Sequence, residues 1–315
     1  MIIYNTKLWR DSIWKIWLSM HWGNNYKLLL RAMIFILIYA GAITYFNINH
    51  FNIKFRIDPF FFSLLGLILS LFMVFRLNSA YDRWWEGRNL WGNLVNNSRT
   101  LAAYMAAIIK EEDLEERKYF AMQISNFSYA LKGHLRNDIQ YDNFEFNHES
   151  DLEVLKGFRN IPYGISSQIF SRVEGLYRKK LITDVDKLNI KSEVAALIDV
   201  LGACERIKNT PIPFSHSSFF KSFLLIYIFS LPFGFVNSFL YFTIPASLLI
   251  TYALLGVEII SEEIEEPFGK DPNDLPITYL SGVIRKDVYH ILGTNIDMPD
   301  IIEPVKGSAH FKMIH

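Results

Sequence analysis

The sequence predicts an all-α integral membrane protein with four transmembrane helices and a large cytosolic helical region. Three observations carry that prediction. Of 315 residues, 51% are hydrophobic and 16% aromatic while only 20% are charged, and mean hydropathy lies just above zero; this is the balance of a membrane protein diluted by a water-exposed part. Four segments are apolar enough to enter a hydrocarbon core of ~30 Å, which asks for about 20 helical residues. Between the second and third lies a long stretch with helical periodicity and sparse strand signals.

The spans are expected at about 28–46, 59–75, 219–236 and 239–260. In the first, only Arg31 interrupts, near the start, where a long side chain reaches the interface. The second is short and carries Ser63, Gly66 and Ser70, positions suited to close helix packing or a wet surface. From Phe60 to Gly92 the apolar run passes without a break into Arg76-Leu-Asn-Ser-Ala-Tyr-Asp-Arg-Trp-Trp, which suggests one helix leaving the membrane. Pro232 with Gly234, and Pro245, predict kinks in the third and fourth spans. A connection of about Asn237-Ser238 makes those two an antiparallel pair.

Residues 1–26 contain Lys7, Arg10, Asp11 and Lys15 with no apolar h-region, so they do not read as a cleavable signal peptide. Their Trp9, Trp14, Trp17 and Trp22 suit the headgroup layer. Lys7, Arg10, Lys15 and Lys27 precede the first span, and Arg76, Arg83, Arg88 and Arg99 follow the second, against Lys54 and Arg56 in the loop 47–58. The excess predicts a multi-pass protein of the cell (inner) membrane with both termini cytoplasmic. The cytosolic region is then about 76–218 plus 261–315, and the whole chain, 1–315, is a single subunit.

Within that region Leu90, Leu94, Leu101, Tyr104, Met105 and Ile108 recur at helical spacing. Further helices are expected over 114–135, over 162–180 with proline at the start and basic residues at the end, and over 185–207. The last stops before Asn209-Thr-Pro-Ile-Pro213 because two prolines forbid regular continuation. The stretch 138–151 is polar and aperiodic and reads as a loop.

A net charge of zero gives no basic surface for nucleic acid, which is an unlikely partner on this ground. The single cysteine, Cys204, excludes an internal disulfide framework and reads as a small buried apolar residue. No enzyme is expected: there is no Gly-rich phosphate loop, G-x-S-x-G, H-E-x-x-H or C-x-x-C. His216 between Ser215 and Ser217 lacks an orienting acid and reads as a polar residue at a membrane boundary. The acidic run Glu258, Glu262, Glu263, Glu265, Glu266, Asp271 and Asp274 leaves two readings open, a hard-cation site or a solvated face with loop caps. An EF-hand fails, because counting from Asp271 puts Leu275 and Gly282 at ligand positions.

Leu67, Leu71 and Phe75 stand four apart and form one slowly drifting stripe on a helix. In one subunit that stripe is most simply a packing face. Repeated around a symmetry axis, it makes stacked apolar rings that gate ions by dewetting.

Three blocks carry a resemblance: FRLNSAYDRWWEGRNLWG at Phe75–Gly92, CERIKNTPIPF at Cys204–Phe214, and EIEEPFGKDPNDLPI at Glu263–Ile277. In this order, with four spans around them, they resemble the bestrophin family in its prokaryotic branch, over nearly the whole chain. The resemblance implies a homopentamer in the lipid bilayer, with one central pore for small ions. Eukaryotic members are calcium-activated chloride channels, and some bacterial relatives are cation-selective. Counted back from the Arg-Trp-Trp motif, the family's apolar neck falls on Leu67, Leu71 and Phe75, and its cytosolic aperture on Ile212 between Pro211 and Pro213. Arg83, Trp84 and Trp85 become structural, with Arg83 expected to pair with Asp82, Glu86 or lipid phosphate. The acidic run here is interrupted by Ile264 and Pro267, so the calcium clasp of eukaryotic members is not carried over and calcium binding stays open. No cofactor is required. The other function class consistent with these residues is a non-conducting membrane scaffold or sensor whose cytosolic helices bind a partner.

Overall fold

The computed structural model describes residues 2–4, 24–51, 59–147, 149–271, 273–294 and 311–313. In chain order the helices are α1 (Asn24–Phe46), α2 (Pro59–Ile108), α3 (Leu114–Leu135), α4 (Glu149–Lys156), α5 (Ile161–Arg178), α6 (Asp184–Asn209), α7 (Phe214–Phe239), α8 (Thr243–Glu265) and α9 (Ile277–Ile291). A short antiparallel strand pair joins β1 (Ile2–Tyr4) to β2 (Phe311–Met313), with Ile3 opposite Lys312. This pair is the one departure from an all-helical chain among the described residues. The tryptophans at 9, 14, 17 and 22, and the loop cations Lys54 and Arg56, lie outside them.

The expected continuity across Arg76 holds: α2 is one helix of 50 residues. Among the described residues, three stretches are long and apolar enough to cross a bilayer, Lys27–His50, Phe60–Ile108 and Phe214–Glu265, and the third comprises α7, a short 3-10 turn and α8. The chain divides into two units, one holding residues 6–83 and 211–266, the other residues 1–5, 84–210 and 267–315.

In the first unit, the membrane-type helices pack through Ile36 of α1, Phe62, Leu69 and Met73 of α2, and Phe220, Leu224, Ile228 and Leu231 of α7. Tyr39 of α1 donates to the Phe229 carbonyl at 2.9 Å and meets the Phe229 ring edge-on at 5.3 Å. Pro232 lies inside α7, as expected. The predicted reversal at Asn237-Ser238 is corrected: α7 runs on to Phe239, and a 3-10 turn at Leu240–Phe242 leads into α8. Asn237 accepts a hydrogen bond from the Asn47 side chain at 3.2 Å, so its polar group does not force a loop. The chain turns instead where Leu240 takes φ 49°, and a tight helical turn leaves few backbone groups unpaired in an apolar setting.

In the second unit, Trp91, Leu94, Leu101 and Met105 form the buried face of α2, a 3.6-residue periodicity. They share a core with Phe120, Ile124, Phe127 and Leu131 of α3, Ile165 and Ile169 of α5, Val194, Leu197 and Leu201 of α6, and Ile284 and Val288 of α9. The helix starts are written locally. Asp113 caps α3 through Glu116 N, Asn160 caps α5 with Pro162 in its first turn, and Thr183 and Asp186 form a reciprocal capping box on α6. The predicted loop at 138–151 is corrected in part. It contains a 3-10 turn at Tyr141–Asn143, and α4 begins at Glu149; with few apolar positions of its own, α4 is held by buried Leu155, whose Cδ1 would lie 2.9 Å from a Cβ on Gly164.

Candidate functional site: a buried ion-pair cluster beside the apolar stripe of α2

The face of α2 that enters the core of its unit carries Phe62, Leu69, Met73 and Arg76, all buried. Leu67, Leu71 and Phe75 point elsewhere and are 69%, 58% and 56% exposed in the single chain. Such exposure of large apolar side chains implies a covering that the subunit does not supply: lipid, another copy, or a narrow pore. Leu64, Ile68 and Val74 are also exposed, so several flanks of this helix await a neighbour.

One residue past Phe75, the Arg76 side chain is only 2% exposed. A guanidinium does not lose its charge on burial, so it must be paired. Its Nη1 lies 2.7 Å from Glu265 Oε2, and its Nε 3.6 Å from Glu258 Oε2. Glu258 and Glu265 are seven residues apart in α8, two helical turns on one face, which is why a single arginine meets both. Glu265 has two further contacts. Its Oε1 accepts the backbone N–H of Ile212 at 3.2 Å, and its carbonyl accepts Arg83 Nε at 3.1 Å. Between α7 and α8, Lys221 pairs with Glu262.

The structure therefore brings Ile212, Arg83 and Arg76 together around Glu265. Pro211 and Pro213 are exposed and Ile212 half-buried. Arg83 reaches a helix C-terminal carbonyl, where a cation also meets the negative end of the helix dipole, and Glu86 is engaged by Arg206 at 2.5 Å. Sequence reading missed Arg76 and Glu265 as partners. The readable signal was an arginine flush with an apolar run, together with two glutamates seven apart at the end of another.

In the second unit, the residues of the three blocks hold loops. Trp84 Nε1 donates to the Asn273 carbonyl at 3.0 Å, while Trp85 stays half exposed. Gly87 leaves room for Phe268 and Leu275, each 3.2 Å from where its Cβ would stand. Arg136 donates to the Phe268 carbonyl at 3.2 Å and to Thr278 Oγ1 at 2.9 Å. Asp274 Oδ2 accepts Asp271 N at 2.6 Å, closing the turn as a loop cap does. Around the second block, Glu205 Oε1 meets His134 Nε2 at 2.7 Å and Asn160 Nδ2 at 2.8 Å. Cys204 is fully buried, and burial first, then Glu86 and Glu205, push its thiol up to about 12, which makes it a packing residue and not a nucleophile. His216 lies exposed in the first turn of α7. Among the described residues no group of three or more His, Cys, Asp or Glu is placed to hold a metal ion.

A helical protein with bilayer-length apolar segments, an uncovered apolar stripe and a buried arginine–glutamate cluster is a membrane protein. Its sequence matches the family model of the Bacterial/Fungal Bestrophin protein over residues 6–290; the chain belongs to the bestrophin family. It is 35% identical over 245 residues to a voltage-dependent anion channel-forming protein of Nostoc sp., covering 76% of this chain and 80% of that one. To the voltage-dependent anion channel-forming protein YneE of Escherichia coli K12 it is 30% identical over 242 residues, 76% and 78% of the two chains. The crystal structure of a bacterial bestrophin homolog from Klebsiella pneumoniae superposes with a TM-score of 0.78 at 26% identity, covering 85% of this chain and 99% of that one.

Proposed function

We propose that this chain is one subunit of a homopentameric channel that lets small anions cross the cell membrane through a central pore. The observation that carries the reading is the uncovered stripe Leu67–Leu71–Phe75 on a helix whose opposite face is buried. Five copies of that stripe form an apolar neck in which a dehydrated ion finds no compensation, so a small inward movement closes it. Ile212, between Pro211 and Pro213, forms the second constriction. In this arrangement α1, the first part of α2, α7 and α8 are four spans and both termini are cytoplasmic. The names of the Nostoc and Escherichia coli relatives favour anions. So does the fate of part of the acidic run: Glu265 lies against Arg76 and Glu262 against Lys221, which offsets two of the carboxylates that would otherwise attract cations to a pore mouth. No cofactor and no enzymatic step enter this reading.

The test is a reversal-potential measurement on purified protein in planar bilayers across a potassium chloride gradient. A potential near the chloride equilibrium value is expected, together with larger currents in Leu71→Ala and Phe75→Ala. A potential near the potassium value replaces anion by cation permeation. Unchanged currents in both variants of an intact pentamer remove the neck assignment, and absence of any flux from wild type favours a scaffold.

A further inference from the structure

Proline has no N–H, so in Pro211-Ile212-Pro213 the only backbone donor is that of Ile212. That donor goes to Glu265 Oε1 at 3.2 Å. The other carboxylate oxygen of Glu265 is held at 2.7 Å by Arg76, and Arg76 is the immediate neighbour of Phe75. Glu265 is itself fixed at its carbonyl by Arg83. One side chain thus receives the single hydrogen bond that the Pro-Ile-Pro backbone is able to donate; Arg76 faces its other oxygen, and Arg83 holds the main chain of the same residue. The pair Arg76–Glu265 is 2% and 15% exposed, so water competes little with it and the carboxylate has a defined direction.

We propose that Glu265 is a positioning residue for the Ile212 constriction, and that Arg76 ties its placement to the neck-bearing segment of α2. The inference rests on the reading of Ile212 as a pore aperture. Arg76 directs Oε1 of Glu265 at the Ile212 amide, the amide fixes how far the Ile212 side chain stands into the passage, and a shift of α2 at Phe75 is transmitted to the aperture through the same three groups. The two ways of altering Glu265 separate reach from charge. Glu265→Asp keeps the charge for Arg76 but draws the acceptor back by one methylene from the Ile212 amide. Glu265→Gln keeps the reach but gives up the charge and one of the two acceptor oxygens, so its single oxygen serves either the Ile212 amide or Arg76.

The experiment uses full-length protein in planar bilayers and reads the permeability of thiocyanate relative to chloride, or of caesium relative to potassium if cations are conducted, from bi-ionic reversal potentials. Ile212→Ala establishes the direction in which a widened aperture moves the ratio. Glu265→Asp is expected to move it the same way by about two- to tenfold, the effect of one lost hydrogen bond, and to add nothing in combination with Ile212→Ala. Glu265→Gln, whose one oxygen is shared between the Ile212 amide and Arg76, is expected to move it the same way by no more than Glu265→Asp and likewise to add nothing to Ile212→Ala. If Ile212→Ala changes no ratio, the aperture reading fails. If Ile212→Ala moves the ratio while Glu265→Asp does not, or if either Glu265 variant adds its effect to that of Ile212→Ala, the positioning role is overturned and Glu265 acts through charge or stability alone.

Discussion

Gly234 of α7 is seated against the ring of Phe62 of α2, so closely that a Cβ on Gly234 would stand 2.5 Å from Phe62 Cζ. Phe62 is buried at 3% exposure and cannot swing into solvent. Gly234→Ala is therefore expected to destabilise the protein by about 1–3 kcal/mol through overpacking. Phe62→Leu, which makes room, should recover much of that loss in the same chain. Thermal midpoints of the two single variants and the double variant in detergent measure it, and additive losses would show that the two sites do not meet.

The Arg117 guanidinium closes the ends of two helices. Nη2 donates to the carbonyls of Ala106 and Ile109 at 2.8 Å each, Nε reaches the carbonyls of Ile109 and Lys110 at 3.3 and 3.2 Å, and Nη1 that of Leu292 at 3.3 Å. The carbonyls at the C-termini of α2 and α9 have no donors within their own helices, and a buried cation there meets the negative ends of both dipoles. Arg117→Met should lower stability by about 3 kcal/mol, the scale of charge-assisted hydrogen bonds left unmade. Chemical denaturation followed by circular dichroism tests it; an unchanged midpoint would mean that water replaces the guanidinium at no loss.

Asp186 is held below the usual carboxylate range by the Thr183 hydroxyl and then by the Thr183 backbone N–H. A depressed folded-state value makes this stabilisation fully present above the unfolded value of about 3.9 and lost as pH falls through the lower folded value. Thr183→Ala, which removes one half of the capping box, should cost about 1 kcal/mol at neutral pH. The gap in thermal midpoint between this variant and wild type should narrow once pH falls below the ordinary carboxylate range. A gap of constant size from pH 7 to pH 3 would show that the ionised Asp186 takes no part.

Helices with their punctuation written beside them were legible in the sequence. The expected run 114–135 coincides with α3, and 162–180 and 185–207 fall within two residues of α5 and α6 at every boundary, because caps, an early proline and the break at Asn209 act locally. The continuity of α2 through Arg76 was readable for the same reason. Pairings across the chain were not. Counting Arg76 among the positive charges after a span gives a side of the membrane but no partner, and the acidic run looked uniform until α8 placed Glu258 and Glu265 on one face and Glu262 toward Lys221. The turn after α7 was misplaced because Asn237 looked like a loop residue, while its side chain is engaged by Asn47. Leu67, Leu71 and Phe75 were visible as a stripe from spacing alone, whereas their assignment to a pore came from the family resemblance.

The seclusion of Arg76 also imposes an order on biogenesis. The ribosome delivers α2 early, and the two glutamates that flank Arg76 are translated only after α3 to α7 have been made. Until α8 arrives, the nascent chain carries an uncompensated guanidinium at the edge of an apolar segment, which favours leaving that edge in contact with water or lipid phosphate. Docking of α8 is then the event that lets Arg76 withdraw from solvent, so the segment of α2 around Arg76 reaches its buried state only once the chain has been made as far as Glu265.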